Sequence, residues 1–180
     1  MAINYALLGK YLAEMYEVQS IEERFQIFSR YLQILGFTGA TYTFAPTMQM
    51  EALRQLPMVF LRTDTFPTEF LQDYSEKRFD RSDFTVRKVL NGETHPMDWR
   101  EYELTGELLN EEVELIRLAR ERYGILNAIS IPTTREHGAA GMSVISNKGD
   151  DEYKKIKQEQ MDTLLAMVRV FHDINFNSRN

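Results

Sequence analysis

Residues 66–99 constrain the fold more than any other segment, because they join a helical aromatic stripe to the only tryptophan in the chain. Phe66, Phe70 and Tyr74 recur every four residues, a spacing that places them along one face of a helix. Pro67 suits the first turn of that helix, where its missing N–H removes no hydrogen bond. A helix with such a face has to bury it against another layer of the fold.

Polar groups in the same segment suggest a binding site. Asp83 lies in a polar, non-helical run, and Trp99 follows a second proline, Pro96. An aromatic face with one phenol, one carboxylate and one indole is the composition of an apolar pocket with a few orienting polar groups. Spacing alone favours ordinary core packing for the stripe, and an aspartate in such a run is more often a turn or cap residue. On the residues alone, both interpretations stay open.

The order of these residues resembles the autoinducer-binding domain of the LuxR-type quorum-sensing transcription regulators. The pattern runs from Phe70 and Tyr74 through Asp83 to Trp99 and continues with an apolar hairpin. Its later pieces are Tyr123-Gly124-Ile125, Ile129-Ser130-Ile131-Pro132 and Gly138-Ala139-Ala140-Gly141-Met142-Ser143-Val144. The resemblance covers essentially the whole chain. It implies an α/β fold, an α-β-α sandwich whose central antiparallel sheet of about five strands is flanked by helices.

The resemblance also implies roles for individual residues around an N-acyl homoserine lactone. Tyr74 would donate to the acyl carbonyl, Asp83 would accept the amide N–H, and Trp99 would pack over the head group. A buried amide needs both partners, because an unpaired polar group costs about 1–3 kcal/mol. The candidate ligand-binding residues are Tyr74, Asp83, Trp99, Phe70, Phe66 and Thr85, the last as a further hydroxyl.

Three positions depart from the family pattern. Phe70 stands where the family has a tryptophan whose indole donates to the lactone carbonyl, and a phenyl ring has no donor. Phe84 replaces the proline after the aspartate, and Ala128 replaces a glycine. A ligand with a different head group is therefore a second hypothesis beside the lactone.

Charge and composition narrow the classes of partner. A net charge of −6 argues against duplex binding by this chain, since such binding rests on Lys and Arg neutralising phosphates. The chain has no cysteine and no apolar run of membrane-spanning length. We expect one cytoplasmic domain over residues 1–180, with no DNA-binding module, no membrane contact, and a homodimer as its assembly. The partner is a small-molecule acyl signal.

Catalytic and metal-binding motifs find no match in the sequence. The three histidines fall in different predicted elements without metal-ligand spacing, and no nucleotide-binding or nucleophile-elbow pattern occurs. We expect no cofactor, no metal and no enzymatic activity. Two rivals remain beside the second head-group hypothesis: a dimerisation partner that titrates a full-length regulator without ligand, and an enzyme acting on the same amphiphile.

Hydrophobic periodicity places helices and strands in a mixed order along the chain. The predicted helices are 3–16, 21–35, one starting at Pro67, 108–123, and one capped by Asp150 or Asp151 that runs to about 175. The predicted strands are 38–46, 58–62, 126–132 and 139–146, the last two forming a hairpin. In the helix 108–123 the residues expected to face inward are Leu109, Val113, Ile116, Ala119 and Tyr123. Residues 100–107 are expected to form a surface loop.

Overall fold

A five-stranded antiparallel sheet forms the middle layer of the computed structural model, which describes residues 3–46, 58–133 and 138–177. The strands are β1 (Gly39–Pro46), β2 (Val59–Arg62), β3 (Met97–Asp98), β4 (Asn127–Pro132) and β5 (Gly138–Ser146). They lie in the order β2-β1-β5-β4-β3. The helices are α1 (Tyr5–Glu17), α2 (Ile21–Ile34), α3 (Thr68–Glu76), α4 (Phe84–Leu90), α5 (Trp99–Thr105), α6 (Asn110–Tyr123) and α7 (Asp150–His172). A 3-10 turn (Phe79–Arg81) precedes α4, and a π-helical turn (Asp173–Asn177) follows α7.

The two faces of the sheet carry different side chains. Alternation along β1 sends Ala40, Tyr42 and Phe44 to one face and Thr41 and Thr43 to the other. The first face meets α1, α2 and α7 in a first core. Its buried members include Tyr11, Met15, Phe28, Leu32, Tyr42, Phe44, Ile129, Ile131, Met142, Val144, Leu164, Met167 and Phe171. Burial of these large side chains is the main stabilising term of the fold.

The opposite face of the sheet meets α3, α4, α5 and α6 in a second core. Its buried members are Phe66, Phe70, Phe84, Met97, Trp99, Leu115, Ile116, Ala119, Tyr123, Ile125, Ala128 and Ile145. The sheet is therefore covered on both sides by helices. The predicted sandwich with a central antiparallel sheet of about five strands is confirmed.

Local sequence signals place several element ends as predicted. Ser20 and Glu23 form the reciprocal capping box at the start of α2. Gly124 ends α6 in the left-handed conformation, with φ of 69°, which a glycine adopts without strain. The hairpin of β4 and β5 is antiparallel, with Ser130 opposite Ser143. The connection between β1 and β2, and most of the hairpin turn, lie outside the described residues.

The loop predicted over residues 100–107 is wrong, because α5 occupies most of it. The carboxylate of Asp98 accepts hydrogen bonds from the N–H groups of Arg100 and Glu101, which starts the helix. Only one side chain of α5, Trp99, is buried. A helix with so little apolar periodicity is not predicted from the hydrophobic pattern of the sequence. The short helix α4, which begins after Asp83, was missed for the same reason.

Two of the five residues predicted to face inward are exposed, one at the N-cap of α6 and one within the helix. Leu109 is 48% and Val113 is 39% exposed, whereas Glu112 and Leu115 are buried. Glu112 lies inward because it forms a two-pronged ion pair with Arg87 of α4, at 2.6 and 2.8 Å. The other three residues predicted to face inward, Ile116, Ala119 and Tyr123, are buried as expected.

The start of α7 also differs from the prediction. Gly149 occupies the N-cap position, and Asp150 and Asp151 lie in the first turn. Acidic side chains in a first turn stabilise a helix through its dipole without capping it.

Candidate ligand-binding site

The aromatic stripe of residues 66–74 lies on α3 and its preceding turn, with its rings in the second core. Ring centroids are 6.2 Å apart for Phe66 and Phe70, and 5.8 Å apart for Phe70 and Tyr74. Phe66 and Phe70 are each 4% exposed, so both serve as core residues whatever else they contact. Tyr74 lies at the edge of the core, where its hydroxyl reaches polar groups.

Asp83 is the polar centre of the site and the N-cap of α4. Its Oδ1 accepts hydrogen bonds from the backbone N–H of Thr85 at 2.8 Å and from the Thr85 hydroxyl at 2.7 Å. Its Oδ2 accepts the Tyr74 hydroxyl at 2.8 Å. Three of the predicted site residues thus meet on one carboxylate, although Asp83 and Tyr74 lie on different helices.

The electrostatics of this trio fix the direction of its hydrogen bonds. Burial, and then the charge and hydrogen bond of Asp83, raise the pKa of the Tyr74 phenol. Tyr74 therefore stays protonated and donates to Asp83. An ionised carboxylate accepts about four hydrogen bonds in all. Among the described residues Oδ1 receives two and Oδ2 receives one, which leaves Oδ2 an acceptor position.

Trp99 lies apart from that trio, at the junction of β3 and α5. Its indole N–H donates to the Ser130 hydroxyl at 3.3 Å, and Ser130 and Ser143 lie 3.2 Å apart, oxygen to oxygen. Phe84, the residue after Asp83, packs edge-on against the indole with ring centroids 6.3 Å apart. The Asp83 end and the Trp99 end of the site are therefore joined through Phe84.

Small side chains lie on the sheet face that meets the second core. Thr41, Thr43, Gly141, Ser143 and Ser130 alternate with the large residues of the first core and point to the helices of the second. Thr43, Gly141 and Ser143 are only half-buried, whereas Tyr42 and Phe44 on the other face are fully buried. At these positions this face of the sheet carries smaller side chains than the other.

The family model for the autoinducer binding domain matches residues 20–174. The chain belongs to the autoinducer-binding domain family. The family is described by its binding of an autoinducer, a signal molecule.

Solved structures share the fold of this autoinducer-binding domain at low sequence identity. The N-acylhomoserine lactone-dependent LuxR-family transcription factor CepR2 of Burkholderia cenocepacia superposes with a TM-score of 0.67 at 14% identity, over 96% of this chain and 95% of that one. SdiA of Escherichia coli gives 0.63 at 14% identity, over 97% of this chain and 69% of that one. SdiA in complex with octanoyl-rac-glycerol gives the same values. A comparison with curated protein sequences gave no match.

Sequence reasoning about this autoinducer-binding domain missed the hydroxyl pair of Ser130 and Ser143. The signal was present in the alternation of β4 and β5, where serines interrupt apolar strands at positions that share a face. The register that sets them opposite each other depends on the hairpin turn, and the contact with Trp99 depends on β3. Neither the register nor the contact with Trp99 can be predicted from the local sequence.

Two surface depressions lie away from the predicted site residues. Their volumes are about 290 and 460 Å³, and Glu14 and Arg30 border both, at α1 and α2. Tyr74, Asp83 and Trp99 line neither. The candidate site of this family member therefore rests on its polar geometry and on the small residues of the sheet.

Neither a metal-ion site nor a membrane-spanning helix is found among the described residues. Residues 3–46, 58–133 and 138–177 contain no group of three or more His, Cys, Asp or Glu side chains arranged to hold a metal ion. Over the same ranges no helix combines the length and apolar content needed to cross a membrane.

Proposed function

We propose that this domain binds an N-acyl homoserine lactone, or a related acyl amide, between the sheet and the helices of the second core. The observation that carries the proposal is the Asp83 carboxylate, oriented by Tyr74 and Thr85 and left with an acceptor position on Oδ2. An ionised carboxylate accepts hydrogen bonds and donates none, so it selects an N–H. A secondary amide is the group that offers such an N–H beside a carbonyl and an acyl chain.

The carbonyl of the amide needs a donor, and two hydroxyls are available for that role. Tyr74 is the donor expected from the sequence, but its hydrogen is committed to Asp83, so it would have to rotate away. The Ser130 hydroxyl accepts a hydrogen bond from Trp99, and one hydroxyl hydrogen of the Ser130–Ser143 pair forms the bond between the two serines. The other hydroxyl hydrogen of the pair is then available to a ligand. We assign the carbonyl contact to that hydrogen, and Tyr74 to orienting Asp83.

We assign the acyl tail to the small-residue face of the sheet. Thr41, Thr43 and Gly141 lie beside Ser143 on that face, away from the aromatic rings of the first core. Each buried methylene contributes about 0.8 kcal/mol, so an acyl chain supplies most of the affinity and the polar groups supply orientation. CepR2, which shares the fold, depends on N-acylhomoserine lactone, and SdiA binds octanoyl-rac-glycerol.

Saturable thermal stabilisation by N-acyl homoserine lactones of graded chain length tests the proposal. A ligand that binds only the folded state raises the melting temperature with its concentration. We expect stabilisation of the wild type and of Asp80→Asn, a matched control whose carboxylate pairs with Arg78 at the surface. We expect a clearly smaller shift in Asp83→Asn. Absence of a shift in the wild type across all chain lengths and related amides contradicts the proposal.

A second candidate, a ligand without a lactone ring, is favoured by the surroundings of Phe70. Its ring contacts Phe66, Tyr74, Phe79 and Tyr123, with centroids 5.2–6.3 Å away, and offers no donor to a ring carbonyl. Comparing Phe70→Trp with the wild type separates the two candidates. A large gain in lactone affinity in the variant indicates that the natural head group differs, and an unchanged affinity favours the lactone.

The assembly and setting of the domain form part of the same proposal. We propose a cytoplasmic homodimer over residues 1–180 that makes no direct contact with nucleic acid. The net charge of −6 supports the last point. Sedimentation of the purified chain with and without N-octanoyl homoserine lactone measures the assembly, and a monomer under both conditions contradicts it.

A further inference from the structure

Asp98 is a buried carboxylate beside Trp99, and its first oxygen starts α5. Asp98 is 4% exposed. Its Oδ1 accepts from the N–H groups of Arg100 at 2.9 Å and Glu101 at 3.1 Å. These bonds satisfy helix-end donors that would otherwise be unpaired.

The second oxygen of Asp98 is bound by the last helix. Oδ2 accepts the Tyr153 hydroxyl at 3.0 Å and the Lys157 ammonium at 2.8 Å, both from the first half of α7. Burial, followed by the charge of Asp98, raises the pKa of the Tyr153 phenol, so it remains a donor. Burial acts to lower the pKa of Lys157, but its bonds to Asp98 and Glu101 outweigh this and raise it.

Asp98 and Trp99 extend to opposite sides of the sheet. In β3 Asp98 lies opposite Ile129, a first-core residue, and Met97 lies opposite Ser130 on the other face. Asp98 accordingly meets α7, whereas the Trp99 indole reaches Ser130 and Phe84 on the ligand side. Two consecutive residues therefore span the sheet from the candidate site to α7.

We propose that Asp98 is a positioning residue, which sets the place of the Trp99 indole and couples the head-group end of the site to α7. The coupling to ligand rests on the proposed function, in which Trp99 packs over the head group. The positioning itself rests only on the contacts of Asp98. Because coupling between two sites is reciprocal, ligand that holds Trp99 also holds α7 in place.

Asp98→Asn separates the roles of the two carboxylate oxygens. Asparagine caps a helix as well as aspartate does, so the bonds to Arg100 and Glu101 persist. Its amide nitrogen cannot accept from Tyr153 or Lys157, so the bonds of residue 98 to α7 are lost, while Lys157 keeps its pair with Glu101. Tyr153→Phe removes one of those donors and leaves Asp98 unchanged, and it serves as the second variant if Asp98→Asn folds poorly.

Fluorescence of Trp99, the only tryptophan, reports the position of the indole directly. We expect acrylamide quenching to rise roughly twofold or more in Asp98→Asn, and in the same direction in Tyr153→Phe, because the indole samples more open positions. The matched control is Tyr31→Phe, which removes a tyrosine hydroxyl that donates to Glu14 at 2.7 Å on the other side of the molecule. The control should quench like the wild type.

The ligand arm uses N-octanoyl homoserine lactone and isothermal titration. We expect binding about tenfold weaker in Asp98→Asn and unchanged in Tyr31→Phe. Wild-type quenching in both Asp98→Asn and Tyr153→Phe, or an equal rise in Tyr31→Phe, overturns the inference. If the wild type binds neither this probe nor lactones of other chain lengths and related amides, but quenching rises only in the two variants, positioning by Asp98 stands and the proposed ligand fails. If the wild type binds and neither readout changes in the variants, the proposed ligand stands and the inference fails.

Discussion

Asp83 is the N-cap of α4, and the proposed function also makes it a ligand contact. Its Oδ1 is fully used by Thr85, a local bond that any N-cap aspartate makes, whereas Oδ2 is reached from α3 by Tyr74. The family pattern predicts a ligand role for Asp83, and that role stays a prediction. Which oxygen remains for a ligand depends on the Tyr74 contact between helices, and no sequence spacing supplies that.

Thr85→Val tests the orientation of Asp83 at the scale of a single hydroxyl. The substitution removes the 2.7 Å bond to Oδ1 and keeps the backbone N–H bond. We expect N-octanoyl homoserine lactone to bind about tenfold more weakly, since a freer carboxylate loses part of a charged hydrogen bond. Isothermal titration measures the change. Thr94→Val, at an exposed position, is the control, and equal weakening in both variants would show that the Asp83 contact is not responsible.

At the scale of elements, the sequence predicted which segments are helices or strands better than it predicted which face of each helix is buried. The long helices and the β4–β5 hairpin follow from periodicity and from the capping residues. The inward face of α6 was predicted only in part: Ile116, Ala119 and Tyr123 are buried as expected, whereas Val113 is exposed. The burial of Glu112 did not follow from the pattern, because its partner Arg87 lies on α4, 25 positions earlier in the chain. The helix α5 did not follow either, because its start depends on Asp98 at the end of β3.

Glu112→Gln tests the tie between α4 and α6 and has a defined pH dependence. Burial acts to raise the pKa of the Glu112 carboxyl, but bonds from Arg87 and from the Leu109 N–H outweigh it and hold the pKa below its ordinary value. A lowered folded-state pKa stabilises above the unfolded value, and the gain is lost as pH falls through the folded value. We expect Glu112→Gln to lose about 1–3 kcal/mol at pH 7.

Urea unfolding of the wild type and Glu112→Gln across pH measures this effect. The difference in unfolding free energy should be constant above pH 4.5 and shrink below it. Glu111→Gln, one position away and exposed, is the control. A difference that stays the same at low pH would refute the ionic origin of the effect.

Gly39→Ala tests how closely β1 approaches the turn before α3. A Cβ at Gly39 would lie 2.8 Å from the Thr63 hydroxyl and 2.9 Å from the Thr65 hydroxyl. We expect a loss of about 1–3 kcal/mol from this overpacking. Gly9→Ala is the contrasting control, since a Cβ there meets nothing within 4 Å, and helix propensity predicts stabilisation by up to about 1 kcal/mol. Thermal unfolding of the two variants compares them, and a stable Gly39→Ala would contradict the close approach.

At the scale of the whole molecule, one sheet separates two cores that differ in the size of the sheet residues facing them. The first core is filled by large aromatic and aliphatic side chains, whereas the second meets a sheet face of small residues with hydroxyls. The resemblance to the LuxR-type domain predicted the sandwich and its five strands. It did not predict that β3 joins the two layers through Asp98 and Trp99, since those contacts arise between elements far apart in the chain.

Ligand binding is expected to act on the molecule as a whole. A guest in the second core adds contacts in the folded state only, so stability rises by about 2.7 kcal/mol when its free concentration is one hundred times Kd. The polar contact to Asp83 adds discrimination between ligands of equal chain length. That discrimination separates specific recognition from simple uptake of a hydrophobic chain.

The most direct test compares N-octanoyl homoserine lactone with its ester analogue, in which oxygen replaces the amide N–H, on the wild type and on Asp83→Asn. Titration of the wild type should show a preference for the amide of about tenfold or more, because the ester offers Asp83 no hydrogen. In Asp83→Asn the Thr85 bonds hold Oδ1 in place and an amide nitrogen replaces Oδ2, so the preference should vanish. Equal affinity of the wild type for amide and ester, or a preference that persists in Asp83→Asn, would contradict recognition of an acyl amide by Asp83.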